Sequence, residues 1–180
     1  MTSSIPGQKS ELRARMKNWK PMPESQGKLL QILEVFFQGK TGIWGCFWAL
    51  SNEVSLQSLY TKIKNIQWAF PKVEGDELHY YIPGPQGFEV GALGVQEPKP
   101  QGASAVAIQD LDAVLIPGLA FDLEGTRLGR GKGYYDKNFK QFNKQTYGIA
   151  VHDQVFQSLP REDFDLKVKH LITDRGILHF

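Results

Sequence analysis

A chain of 180 residues with 41% hydrophobic and 12% aromatic side chains carries enough apolar surface for one substantial core. That excludes a disordered or collagen-like class and predicts a single domain over residues 1–180. Its 21 basic and 19 acidic residues leave a net charge of +2, too small an excess to mark nucleic acid or a membrane as the partner.

Residues 8–19 read as a short basic helix, and KPMPESQG after it, with two prolines and a glycine, as a linker. KLLQILEVFFQ, residues 28–38, carries a broad apolar stripe stopped by Gly39 and predicts a largely buried helix. GIWGCFWAL, residues 42–50, is a continuous apolar run of the kind that forms a strand covered on both faces. Within it Cys46 is the only cysteine, so it forms no internal disulfide and reads as a small buried hydrophobe. With no apolar signal core at the start and no run long enough to span a bilayer, this predicts a cytoplasmic protein.

SLQSLYTKIKN, residues 55–65, predicts a helix capped by Ser55. WAFPKV and ELHYYIP are strand candidates about the turn EGDE, residues 84–102 a long irregular loop, and DAVLIPGLAF, residues 112–121, the most strand-like run. Residues 134–142 then show helical spacing, and TYGIAV and HLITD complete the set as strands, HLITD being the last. Strands alternating with helices need crossover connections, which predicts a layered α/β fold with a mainly parallel sheet.

Chemistry concentrates in LGRGKGYYD, residues 128–136, just beyond DAVLIPGLAF. Glycines there allow backbone N–H groups to approach an anion, and a following helix N-terminus adds its dipole. The spelling fits neither common phosphate loop: Lys132 is followed by Gly133 rather than Ser or Thr, and one residue, not two, separates Gly131 from Gly133. Arg127, Arg130 and Lys132 supply charge for a polyphosphate. Asp136 among them suits a bridging Mg²⁺, or else caps the helix or pairs with Lys132 or Lys140. Tyr134 and Tyr135 point about 100° apart on a helix, so that one can serve the core and the other a flat ligand, or both are ordinary half-buried aromatics.

At these residues the chain resembles a known family. IPGLAFDLEGTRLGRGKGYYDKNF (116–139) is similar to the signature of 5-formyltetrahydrofolate cyclo-ligases, also called methenyltetrahydrofolate synthetases. KSELR (9–13), ALSNEVSL (49–56), GVQEP (94–98) and GIAVHDQVFQSLPREDFDLKVKHLIT (148–173) resemble its other blocks in the same order. The resemblance implies a three-layer, Rossmann-like fold of the NagB/RpiA/CoA-transferase type. It also implies Mg-ATP-dependent closure of 5-formyltetrahydrofolate to 5,10-methenyltetrahydrofolate, in which the formyl oxygen is phosphorylated, N10 attacks and phosphate leaves.

Carried over by position, Lys9, Arg13, Arg127, Gly129, Arg130, Gly131, Lys132, Gly133, Tyr134 and Tyr135 would bind ATP. Arg130, Lys132 and Tyr134 would act in catalysis, Trp48, Glu53, Tyr134 and Tyr135 would bind folate, and Asp136 and Asp165 would hold Mg²⁺. The implied partners are the two small substrates, with no nucleic acid and no membrane, and the implied state is a monomer.

VSL after Glu53 departs from the acidic residue and threonine common in the family, and His152 from an apolar or aromatic residue; a lone histidine at a strand end reads as structural. Lys72 either meets a folate glutamate carboxylate or is a solvated surface lysine. A non-catalytic folate- or nucleotide-binding relative is the alternative, opposed by the retention of Arg130, Lys132, Asp136 and Asp165.

Overall fold

The computed structural model describes residues 4–91 and 94–180. Helices α1 (Ile5–Met16) and α2 (Pro23–Phe36) precede β1 (Gly42–Gly45), and α3 (Gln57–Lys62) leads to β2 (Ile66–Glu74) and β3 (Glu77–Ile82). Short strands β4 (Phe88–Val90), β5 (Gln96–Pro98) and β6 (Ser104–Val106) come next, followed by β7 (Ala113–Pro117), β8 (Ala120–Asp122) and β9 (Arg127–Leu128). Helix α4 (Tyr134–Asn138), β10 (Gln145–Ile149), β11 (Val155–Phe156), β12 (His170–Thr173) and β13 (Gly176–His179) complete the chain.

One sheet has the order β13-β12-β10-β7-β1-β2-β3-β6. Its five inner strands, β12, β10, β7, β1 and β2, run parallel, and antiparallel strands extend both ends. The expected mainly parallel sheet flanked by helices is therefore present. Strand alternation divides the core: Trp44, Trp68, Phe70, Leu115, Tyr147 and Ile172 face α2 and α3, whereas Ala69, Val114, Ile116 and Leu171 face Phe121 and Phe139. Leu29, Leu33 and Phe37, one helical turn apart, are at most 1% exposed. Each contributes about 1.5–3 kcal/mol by leaving water.

Several boundaries differ from expectation, each for a local reason. The stretch read as a linker already belongs to α2 from Pro23 onward, because proline at a first helical position presets φ and its missing N–H costs nothing there. Ser55 does not cap α3: Leu56 occupies the cap position, and the Ser55 N–H donates to Gln26 Oε1 at 3.4 Å. GIWGCFWAL is a strand only over Gly42–Gly45, after which the chain leaves the sheet.

DAVLIPGLAF breaks at Gly118, where a Cβ would lie 2.8 Å from the Phe121 ring, and β8 joins a separate sheet in the order β11-β8-β9. The loop expected over 84–102 contains the β4–β5 hairpin. HLITD is not the last strand, since β13 folds back on β12.

Candidate active site

Chain order reverses between β1 and β7, with β2 on one side of that pair and β10 on the other. Open α/β sheets bind ligands at such a point, outside the carboxyl ends of the strands. The segments leaving β1 (Phe47, Trp48, Leu50, Glu53) and β7 (Pro117, Gly118, Leu119) line a cavity of about 350 Å³ there. Phe47, Trp48, Pro71, Val73, Leu78, Tyr134 and Tyr135 give it apolar walls, and Glu53, Glu97, Arg127, Arg130 and Lys132 polar groups. Trp48 is propped by Phe70 and Phe88, with ring centroids 5.9 and 5.1 Å away. Both tyrosines line the cavity and both pack on the core behind it. Burial pushes the Tyr135 hydroxyl well above its ordinary value; Glu53 adds to the shift and Arg127 opposes it, so the group stays protonated.

The glycine-rich loop is held from behind by Asp122. This carboxylate, 2% exposed, accepts N–H groups of Glu124 and Thr126 through Oδ1 (2.9 and 2.8 Å) and of Leu159 through Oδ2 (3.0 Å). It thereby fixes the turn that delivers β9 to the site. Gly131 (φ +96°) and Gly133 (φ +71°) occupy left-handed conformations that disfavour other residues. Helix α4 has only five residues, so charge at the site comes chiefly from side chains rather than from the expected helix dipole. Arg13 Nε donates to Gly129 O at 2.9 Å and fastens α1 to the loop.

A second cavity, about 250 Å³, lies between α1 and the loop, lined by Arg13, Ala14, Lys17, Asn52, Leu119 and Arg130. Three of these are cations. Lys17 was missed from sequence, although it lies four residues after Arg13 and eight after Lys9, a spacing that marks one helix face. Glu97 was missed as well: it is 4% exposed, lines the first cavity and lies 3.7 Å from Lys72. Lys72 also pairs with Glu89 at 2.8 Å. It therefore bridges two glutamates that face each other across the hairpin, and with its side chain 17% exposed it is not a solvated surface lysine.

The charged residues singled out from sequence meet one another. Lys9, 5% exposed, pairs with Asp165 Oδ2 at 2.5 Å and Glu162 Oε2 at 2.8 Å. Burial works against its ammonium, but the hydrogen bonds and attraction of Asp165 and Glu162 prevail and raise its pKa. Arg127 Nη2 donates to Asp136 Oδ1 at 3.0 Å and Nη1 to Pro117 O at 3.3 Å, while the guanidinium lies 5.2 Å from the Tyr135 ring centre. Asp136 thus pairs with Arg127 rather than with Lys132 or Lys140. Arg130 Nε donates to Glu53 Oε1 at 3.0 Å and Nη2 to Asn52 Oδ1, and Glu53 Oε2 accepts the Leu50 N–H at 3.0 Å.

Among the described residues no group of three or more His, Cys, Asp or Glu could hold a metal alone. A hard cation shared with phosphates needs only one or two carboxylates. Asp136 Oδ1 accepts the N–H of Leu166, the residue after Asp165, at 3.1 Å, which draws the two acids into one neighbourhood. Among the described residues, the donors to Asp136 meet Oδ1 and those to Asp165 meet Oδ2, so that the other oxygen of each can face a cation. The donor set fits Mg²⁺ with a nucleotide.

His152 sits in a 3₁₀ turn, its N–H donating to Asp174 Oδ1 at 2.6 Å, and does not line either cavity. Cys46 is fully buried. Its thiol lies against Ala69 O at 3.3 Å, and burial pushes its pKa well up, which makes it inert. No helix among the described residues is long and apolar enough to cross a membrane.

Comparison with known proteins places this geometry in context. The chain is 38% identical over 89 residues to the 5-formyltetrahydrofolate cyclo-ligase of Mycolicibacterium smegmatis, which covers 48% of this chain and 46% of that protein. It is 29% identical over 125 residues to that of Haemophilus influenzae, covering 65% of each. The matched part thus spans about half to two thirds of these relatives' length. The solved structure of Aquifex aeolicus 5,10-methenyltetrahydrofolate synthetase superposes with a TM-score of 0.81 at 34% identity, covering 95% of this chain and 92% of that one. A synthetase from Mycoplasma pneumoniae, 21% identical, shares the fold with a TM-score of 0.70 over 96% and 99% of the two chains. A sequence model of the 5-formyltetrahydrofolate cyclo-ligase family matches residues 50–174, well over half of the chain, and the chain belongs to that family.

Proposed function

We propose that this chain closes 5-formyltetrahydrofolate to 5,10-methenyltetrahydrofolate at the expense of ATP, releasing ADP and phosphate, and that residues 1–180 form one cyclo-ligase domain. The observation that carries this reading is the pair of adjoining cavities, one walled by aromatic and apolar side chains and one by three cations, with Leu119 and Arg130 common to both. That arrangement suits a flat heterocycle and a polyphosphate whose reacting ends must meet.

In this reading the pterin lies against Trp48, Tyr134 and Tyr135, and its neighbouring N–H donors meet the Glu53 carboxylate. Arg13, Lys17, Arg130 and Lys132 hold the triphosphate, with Gly129, Gly131 and Gly133 admitting it close to the backbone. Lys9 adds charge from α1, and Arg127 orients Asp136. Asp136 and Asp165 would hold Mg²⁺, which supplies charge neutralisation at the phosphates.

Phosphoryl transfer is positioning and charge stabilisation, so no covalent nucleophile is needed. The formyl oxygen takes the γ-phosphoryl group, with Arg130 and Lys132 stabilising the charge and Tyr134 packing beside the reacting centre. N10 then bonds to the formyl carbon and loses its proton. Phosphate departs with the former formyl oxygen. The lone buried Cys46 accords with a cytoplasmic location.

The test is the near-ultraviolet absorbance of the methenyl product, recorded with purified protein, 5-formyltetrahydrofolate and Mg-ATP. A rise that requires both ATP and metal is expected. A flat trace with intact folate binding would favour a non-catalytic relative.

A further inference from the structure

We infer that Arg130 is a latch between the two cavities, so that folate binding releases the cation that the nucleotide needs and the two substrates bind cooperatively. The inference rests on the cyclo-ligase reading above. In the structure Arg130 bonds Glu53 Oε1 at 3.0 Å and Asn52 Oδ1. The Glu53 side chain is 7% exposed and that of Arg130 36%, so the buried acid is the partner that depends on the pair. A buried carboxylate stripped of its counter-charge is costly.

Asn52 makes this a fixed station rather than a chance surface contact. It is 4% exposed, and its Nδ2 donates to Met16 O and Lys17 O at 3.1 and 3.4 Å, tying the acceptor to the end of α1. Arg130 lines both cavities, Glu53 only the apolar one, and Arg13 and Lys17 only the cationic one. A pterin edge that donates N–H groups to Glu53 replaces Arg130 there. The guanidinium is then free to join Arg13 and Lys17 around phosphate, with Asn52 still within reach. A nucleotide arriving first must draw Arg130 away and leave Glu53 bare. Binding of either substrate therefore favours the other, and linkage makes the factor the same in both directions.

The experiment is calorimetric titration of the magnesium complex of a non-hydrolysable ATP analogue, with and without saturating 5-formyltetrahydrofolate. In the wild-type chain folate should tighten analogue binding about tenfold, within the usual range for coupled sites. In Glu53→Gln no charge holds Arg130, so the analogue alone should bind about as tightly as it does to folate-saturated wild type, and added folate should change this less than about twofold. If wild type binds both ligands but independently, or Glu53→Gln keeps the full gain, the latch is overturned while the cyclo-ligase reading stands. If wild type binds neither ligand, the reading beneath it falls. The wild-type comparison decides alone if the variant does not fold.

Discussion

Replacing Lys9 with methionine keeps most of the side-chain stem and removes the ammonium lodged between Asp165 and Glu162. The three side chains are 6%, 10% and 30% exposed. Breaking a buried ion pair from one side costs about 3–5 kcal/mol, because the remaining charge stays desolvated. Asp165 keeps the Glu162 N–H at 2.7 Å, and Glu162 can turn into water, so the lower end, about 3 kcal/mol, is expected for Lys9→Met. For a chain of this size that is a fall in Tm of about 6–12 °C, read by circular dichroism.

Adding Asp165→Asn to Lys9→Met should recover part of the loss, since the stranded charge goes with it. The wild-type ammonium, with its pKa raised above 10.5, contributes its full stabilisation below that value and loses it as pH rises through the higher folded-state pKa. A Lys9→Met loss under about 1 kcal/mol, or a further loss on adding Asp165→Asn, would refute the reasoning.

Asp136→Asn can still accept from Arg127 and Leu166 and should fold normally, yet methenyl formation should fall by about 10²-fold or more; wild-type turnover would remove the metal-ligand role. Glu53→Ala should weaken 5-formyltetrahydrofolate binding about tenfold or more without weakening nucleotide binding in calorimetry, and equal losses would mean the pterin lies elsewhere. Asp122→Ala strands three N–H groups and should cost about 3 kcal/mol in urea unfolding, against less than about 1 kcal/mol if the turn holds itself. Acid should loosen β13. Burial first, then the charges of His179, Lys169 and Lys40, hold His170 below its ordinary value, so its contribution is present above about pH 6.5 and fades below it. Faster amide exchange in β13 at pH 5.5 than at pH 7.5 is expected, and equal protection after correction for intrinsic rates would count against it.

The parts of the fold that could be read from sequence are those whose burial pattern is long and periodic. Leu29, Leu33 and Phe37 announce α2, and AVLI announces the central β7, because a helix stripe and a doubly covered strand leave unambiguous spacing. What escaped was decided at a distance. GIWGCFWAL looks like one strand, but its second half is apolar because it lines a cavity and packs on Phe70 and Phe88. DAVLIPGLAF hides a change of sheet at Gly118 because both of its halves are buried. The β4–β5 hairpin is three residues per strand and carries Glu89 opposite Glu97, a pairing that Lys72 on β2 makes tolerable by reaching both.

The site was legible as residue types and illegible as partnerships. Arg127, Arg130 and Lys9 were each read as reaching for phosphate, and Asp136, Glu53 and Asp165 as reaching for metal or pterin, one residue at a time. In the structure each of these cations is paired with one of these acids. The reason is electrostatic: a pocket that must hold a polyanion and a cation keeps buried charges of both signs, and without ligand such charges survive only in one another's company. Mg-ATP brings both signs at once, and folate brings donors for Glu53, so the ligands can replace these internal pairs without leaving a buried charge alone. Lys17 and Asn52 escaped notice because neither carries a recognisable motif: Lys17 joins the site through the cavity it shares with Arg13 and Arg130, and Asn52 through its bond to the Arg130 guanidinium.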